Sequence, residues 1–217
     1  MGEMEPARAS LKLDADLVRR LLGSQFPEWA GLPIRPILPG GWDNKTFRLG
    51  EDMVVRLPSA GAYAPQVEKE HQWLPILYPY LPLQIPTPIA LGQPCHGYPW
   101  PWSIYGWLPG KAVSAGQLSG SHRLARSLGS FLAALQRIDP SGGPPPGPDN
   151  FHRGGSLQVY DAETRQAIAR LEAKIDAKAA LRVWDEALAA PHEGPPIWLH
   201  GDVSAGNLLV EAGRWPE

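Results

Sequence analysis

His200-Gly201-Asp202-Val203-Ser204-Ala205-Gly206-Asn207 is the stretch on which the reading of this chain turns. It spells H-x-D-x-x-x-x-N, the spacing of catalytic loops that serve phosphoryl transfer. In such a loop a carboxylate accepts the proton of an attacking hydroxyl, and an amide oxygen five residues on faces a magnesium ion. The loop must turn back so that base and metal ligand lie on either side of the transferred group. Ile197–Leu199 and Leu208–Val210 flank it as apolar triplets, which predicts two short strands. Other chemistries find less support. A metal-dependent hydrolase would use His200 and Asp202 as ligands, but only His152 and His192 are nearby to join them, without regular ligand spacing. Ser204 lacks the G-x-S-x-G setting of a nucleophilic serine.

An enzyme that moves a phosphoryl group from a nucleotide needs more than this loop. It needs a cradle for phosphates, a cation to fix them, a carboxylate to hold the cation, and a slot for the base. Candidates precede the loop in that order. Gly40 and Gly41, in Pro39-Gly40-Gly41-Trp42-Asp43-Asn44, let backbone N–H groups approach phosphate, and Asn44 adds a donor. An ordinary glycine turn would read the same way. In Val54-Val55-Arg56-Leu57, period-two alternation puts Val54 and Arg56 on one face of a strand, an apolar roof for a base beside a cation for phosphate. A surface strand charge is the alternative for Arg56. Glu70 has the spacing to pair with Arg56 from a helix whose Val67 and Leu74 turn inward. Trp102–Gly110 reads as a strand that leaves the first region and crosses to the second, where a nucleobase could meet backbone N–H and C=O groups. Tyr105 and Trp107 lie on it, either at the base or as core aromatics.

The wider pattern divides the chain into a strand-rich region, 1–109, and a helical one, 110–217. Asp14 caps a predicted helix with Leu17, Val18, Leu21 and Leu22 on one face. A strand at Ile34–Leu38, a hairpin of Thr46–Leu49 and Met53–Leu57, a helix over Pro65–Leu77, and extended segments at Pro86–Leu91 and Trp102–Leu108 follow. Beyond 110, Leu124, Leu128, Phe131, Leu132, Leu135 and Ile138 make a helical stripe. A Gly/Pro-rich loop spans 140–148, and one long or two shorter helices carry Ile168, Leu171, Ile175, Leu181, Trp184 and Leu188. After the loop, Asp149–Gly155 reads either as part of an acceptor wall or as an ordered surface segment.

Composition sets limits. A net charge of -2 offers no electrostatic case for nucleic acid or an anionic membrane. No apolar run reaches the length of a membrane span, and no secretory leader is visible. The single cysteine, Cys95, cannot form an internal disulfide, which fits a cytoplasmic protein.

With Gly40–Asn44, Val54-Val55-Arg56-Leu57-Pro58, Val67-Glu68-Lys69-Glu70, Trp107-Leu108-Pro109-Gly110 and His200–Asn207 in this order, the chain resembles the aminoglycoside phosphotransferase and small-molecule kinase-like family. The resemblance runs from about residue 32 to 213. It implies an α+β, protein-kinase-like pair of lobes, with an antiparallel-sheet lobe followed by a mainly helical one. It implies Asp202 as general base, Asn207 as a magnesium ligand, Arg56 on the phosphates of ATP or GTP, Glu70 orienting Arg56, and His200 bracing the loop. The acceptor would be a small hydroxylated molecule, whose identity and the oligomeric state are not encoded in these motifs. Two departures stand out: Arg56 occupies a position where many relatives carry Lys, and no Asp follows the strand after Asn207. The expectation is therefore a C-terminally shortened member with low or no activity, or a catalytically dead binding remnant.

Overall fold

In the computed structural model the described residues are 12–38, 40–113, 122–190 and 194–211. Helix α1 (Ala15–Gln25) begins where the sequence supplies a cap: the Asp14 carboxylate accepts from the Leu17 backbone N–H at 2.9 Å. Its apolar face, Leu17, Val18, Leu21 and Leu22, is buried as the periodicity predicts.

That face closes on a sheet. Strands β1 (Ile34–Pro36), β2 (Asn44–Leu49), β3 (Met53–Pro58), β4 (Pro88–Gly92) and β5 (Trp102–Gly106) form a five-stranded sheet in the order β1-β2-β3-β5-β4, with every neighbouring pair antiparallel. Pro88 is tolerated because β4 lies at an edge, where a missing N–H breaks no ladder. Alternation divides the residues between two faces. Phe47, Leu49, Val55, Leu57, Trp102 and Ile104 pack with the four α1 residues into the core. Each such side chain removed from water contributes roughly 1.5–3 kcal/mol. Tyr98 joins this core and donates its hydroxyl to the Pro58 carbonyl at 2.9 Å. Gly92 is needed for close approach: a Cβ there would sit 2.0 Å from Cε2 of the fully buried Trp102.

The opposite face carries Val54, Arg56, Ser103 and Tyr105, and helix α2 (Pro65–Leu77) supplies the side chains that meet it. Proline at the first position suits a helix start, since its missing N–H would have no intrahelical partner. Val67 and Leu77 are buried on α2, and Leu74 is half-buried.

The chain divides into two compact units: Met1–Leu135 with Val203–Glu217, and Gln136–Asp202. Besides the sheet, the first contains the antiparallel pair β6 (Lys111–Ala112) and β7 (Leu209–Val210). Helix α3 (His122–Arg137) follows β6 and buries Phe131 and Leu135 from the predicted stripe. In the second unit, the helical stretch resolves into two elements, α4 (Asp161–Arg170) and α5 (Ala177–Ala189). Arg165 ties them, donating to Asp161 at 2.8 Å and Asp185 at 2.6 Å, while Trp184 Nε1 donates to Asp161 at 2.7 Å. Among the described residues of this unit, no apolar side chain is fully buried.

One predicted element is absent. Ile197–Leu199 forms no strand. Pro195 and Pro196 remove two backbone donors just ahead of it, and the triplet is held by its side chains instead. Trp198 Nε1 donates to the Asp139 carbonyl at 3.1 Å, and Leu199 lies against Gly154, where a Cβ would meet its Cδ1 at 2.7 Å. The predicted strand after the loop is present as β7. Among the described residues, no helix is long and apolar enough to cross a membrane. Pro39, Pro191, His192 and residues 212–217, which include most of the turn that Glu211-Ala212-Gly213 suggests after β7, lie outside the described residues.

Candidate nucleotide site and catalytic loop

Strand register brings the upstream candidates together. Arg56 stands opposite Thr46 on β2 and Ser103 on β5, and Val54 stands opposite Arg48 and Tyr105. From α2, Glu70 reaches back to the sheet, and its Oε2 accepts from Arg56 Nη1 at 3.2 Å. The two side chains are 29% and 28% exposed, so the pair is neither a surface nor a dry ion pair. Arg56 gives Glu70 one bond from one edge of its fork, and a guanidinium has five N–H donors.

Tyr105 completes the group. Its hydroxyl donates to the same Glu70 oxygen, and its ring lies under Arg56, with the guanidinium carbon 5.3 Å from the centroid. The side chain is 2% exposed. Burial first, then the Glu70 charge, pushes the phenol well above its ordinary range, so it remains a protonated donor. The next residue of α2, His71, is hydrogen-bonded through Nε2 to the buried Ser103 Oγ at 3.0 Å. Burial lowers the His71 pKa, and Glu70 opposes the shift.

Gly40 and Gly41 precede β2. Neither has a positive φ. A Cβ would find its nearest neighbour 3.9 Å away at Gly40 and 3.6 Å away at Gly41. The protein's own atoms therefore impose no need for glycine at either position. Asn44 opens β2 opposite Pro58, and Ser59 pins the loop's end: its N–H donates to the Asp43 carbonyl at 2.8 Å and its hydroxyl to the Trp42 carbonyl at 2.6 Å. Trp42 itself is 93% exposed. Sequence reasoning passed over Lys45, whose Nζ lies 4.0 Å from the position of a Gly40 Cβ. It also passed over Arg48, whose guanidinium stacks 3.6 Å from the Trp107 ring centroid. Alternation along β2 could have placed Arg48 on the Val54 face, but its partner depends on the β3–β5 pairing.

At the crossing, the Trp107 N–H donates to the Asp52 carbonyl at 2.8 Å. The Leu108 N–H has no partner among the described residues. Gly110, at φ +121, passes so close to β7 that a Cβ would lie 3.0 Å from the Val210 carbonyl oxygen. Asn207 ends the 3-10 turn Ala205–Asn207, exposed, with its N–H on the Ser204 carbonyl at 3.0 Å. All these residues belong to the first unit.

Asp202 is the last residue of the second unit. Its N–H donates to His200 Nδ1 at 3.3 Å, so the histidine braces the turn locally. Its carboxylate faces Arg153 Nη2 at 3.5 Å. Gly201 between them has φ +73, and a Cβ there would lie 2.8 Å from Arg153 Cδ. Arg153 comes from the Asp149–Gly155 segment. Asn150 ties that segment down, accepting from the Gly147 N–H at 2.8 Å and donating to the Pro145 carbonyl at 2.9 Å. Phe151 and His152 both adopt left-handed φ values, 55° and 53°, before Arg153. The sequence pointed to this segment but assigned Arg153 no part. Among the described residues, no three or more His, Cys, Asp or Glu gather into a metal-holding cluster around His200 and Asp202.

Comparison with known proteins bears on the fold and the family. No curated protein sequence matches the chain significantly. Several solved structures do. The GDP and kanamycin complex of APH(2")-IIia superposes with a TM-score of 0.66 at 20% identity, over 91% of this chain and 68% of that one. The streptomycin–ATP ternary complex of APH(2")-IIa gives 0.57 at 19% identity, over 94% and 69%. Apo macrolide 2'-phosphotransferase MphH from Brachybacterium faecium gives 0.55 at 24% identity, over 93% and 69%. At these identities the likeness establishes the fold, the kinase-like fold of the aminoglycoside phosphotransferases, and the chain spans about two thirds of their length. The sequence model described as the phosphotransferase enzyme family, APH, matches residues 34–216, and the chain belongs to that family.

Proposed function

We propose that this protein transfers the terminal phosphoryl group of ATP or GTP to a hydroxyl of a small molecule. The observation that carries the reading is the ion pair between Arg56 on β3 and Glu70 on α2, which holds a cation in place while leaving most of its donors uncommitted among the described residues. In this reading Arg56 meets the phosphates, and the backbone at Gly40 and Gly41 approaches them where no side chain of the protein needs the room. Asn44 adds a donor. Val54 roofs the base, and the Leu108 N–H is offered at the crossing. Asp202 takes the acceptor proton, with Arg153 beside it. The region 1–109 would then bind nucleotide, and 110–217 would carry the base and acceptor side.

Asn207 would be the protein's ligand to magnesium. Its exposed amide offers a hard oxygen, and magnesium draws most of its shell from phosphates and water, so one such donor fits. Bound with the nucleotide, the ion neutralises phosphate charge. Two of the similar structures named above hold a nucleotide and an aminoglycoside, GDP with kanamycin in one and ATP with streptomycin in the other, which supports a nucleotide donor and a small hydroxylated acceptor. The composition supports a reducing, cytoplasmic setting. The test is nucleotide turnover with magnesium over a panel of hydroxylated acceptors, with phosphorylated product read by phosphorus NMR. Product that disappears in Asp202→Asn supports the reading, and no product with any acceptor refutes it.

A second reading is a nucleotide-binding protein without catalysis, which keeps the Arg56–Glu70 pair but uses no metal site. It predicts nucleotide binding indifferent to magnesium. Calorimetry with and without the ion separates the two, since a strong magnesium requirement would sink this alternative.

A further inference from the structure

Tyr105 was a candidate for contact with the nucleobase. Its side chain is directed elsewhere: it is buried, and its hydroxyl is committed to Glu70. Two neighbouring residues of α2 are each tied to β5 by a side chain two positions apart on one face of that strand: Glu70 to Tyr105, and His71 to Ser103. Glu70 passes the tie on to Arg56 through the same oxygen.

We propose that Tyr105 is a positioning residue that acts through Glu70, and that β5 thereby sets the place of the phosphate-binding cation as well as leading to the base crossing. The inference rests on the nucleotide-binding reading above and specifies how that site is held.

The physical argument has three steps. A carboxylate oxygen can accept more than one hydrogen bond, so Arg56 and Tyr105 share Glu70 Oε2 without competing for it. A tyrosine on a strand paired on both sides, to Val54 in β3 and Pro88 in β4, has little freedom to follow a moving helix. A phenol is a rigid group with few rotamers, so the bond costs little side-chain entropy. Glu70 on its own has three rotatable bonds and is half-buried; with the phenol it has one preferred placement, and Arg56 follows it. The bond from His71 to Ser103 fixes the same stretch of α2 a second time, and limits rotation of the helix about the Glu70 contact.

The test needs no acceptor. Magnesium–ATP and magnesium–GTP binding is measured by calorimetry for the wild-type chain, Tyr105→Phe, Glu70→Ala and the double variant. A hydrogen bond to a charged group that is lost from a half-buried site weakens binding by about tenfold. Tyr105→Phe is expected to show that loss in the wild-type background and no further loss in Glu70→Ala, because the hydroxyl then has no carboxylate to place. Tyr98→Phe is the control for a purely structural effect. It deletes a buried hydroxyl that bonds the Pro58 carbonyl in the α1-facing core, and should lower the melting temperature while leaving nucleotide affinity in place. Wild-type affinity in Tyr105→Phe would overturn the proposal. So would an equal loss in both backgrounds, which would mean that Tyr105 meets the nucleotide itself. Failure of the wild-type chain to bind either nucleotide would remove the parent reading and this one together, and is seen before any substitution is made.

Discussion

Arg56→Ala separates the two tasks assigned to this side chain. The first is structural. Exposed ion pairs contribute about 0.2–1 kcal/mol, and breaking a buried pair costs about 3–5 kcal/mol. With side chains 29% and 28% exposed, the Arg56–Glu70 pair falls between these limits. Glu70 also keeps the Tyr105 hydroxyl after the substitution, so it is not left without a donor. The expected loss of stability is therefore about 1–2 kcal/mol, or roughly 3–6 °C in melting temperature for a chain of this size. The second task is binding. Charge-assisted bonds to phosphate contribute about 1.5–3 kcal/mol, so nucleotide affinity should fall by roughly ten- to a hundredfold. Thermal denaturation reads the first quantity and calorimetry with magnesium–ATP the second. Arg56→Lys adds a finer test. Glu70 receives a single bond from Arg56, which an ammonium can supply, so stability should largely return. Affinity should return only in part, because the remaining donors of the fork are gone. Arg56→Ala that melts early but binds nucleotide as the wild type does would refute the reasoning, and leave the pair as a structural tie alone.

Other expectations concern the scaffold around the site. Gly92→Ala would place a Cβ 2.0 Å from Trp102 Cε2 and 2.3 Å from its Nε1, so the indole must leave its place in the core. Overpacking usually costs about 1–3 kcal/mol, and this case belongs at or beyond the upper end; an unchanged denaturation midpoint would show that the indole has room to shift. Gly201→Ala forces a left-handed backbone on a residue with a Cβ, at about 1–2 kcal/mol, and pushes Arg153 away from Asp202. Phosphoryl transfer should fall with nucleotide affinity held, and a fall in both would contradict a role confined to the Asp202 loop. His71 gives a pH signature. Burial holds its folded pKa below the ordinary 6.5, so the unfolded chain binds the proton more readily. Its contribution is complete above pH 6.5 and is lost as pH falls through that value toward the folded pKa. The melting temperature of the wild type relative to His71→Gln should decline over that acidic window, and parallel curves would refute the assignment.

Much of the fold was legible because its signals are local. Asp14 and the four apolar residues that follow within α1 need only the helical period and a side-chain acceptor at the start. The hairpin of β2 and β3 followed from alternation, and the span of α2 from the helical spacing of Val67, Glu70 and Leu74. Where the local signal was ambiguous, the reading divided or failed. The stretch from 161 to 189 allowed one helix or two, and the Ile197–Leu199 triplet has strand composition but two prolines before it.

The motif at His200–Asn207, the order of the upstream pieces and the family they imply were determined by the sequence alone. So was the fact that Val54 and Arg56 share a face, because alternation along a strand is a property of the backbone. The tertiary structure alone decided that Tyr105 turns to Glu70, that Arg48 lies over Trp107, and that Arg153 faces Asp202. Each of these partnerships joins residues brought together by strand register, by a helix packed on the sheet or by a loop folding back. Register and loop closure depend on the summed burial of a whole face, and no window of neighbouring residues contains that sum.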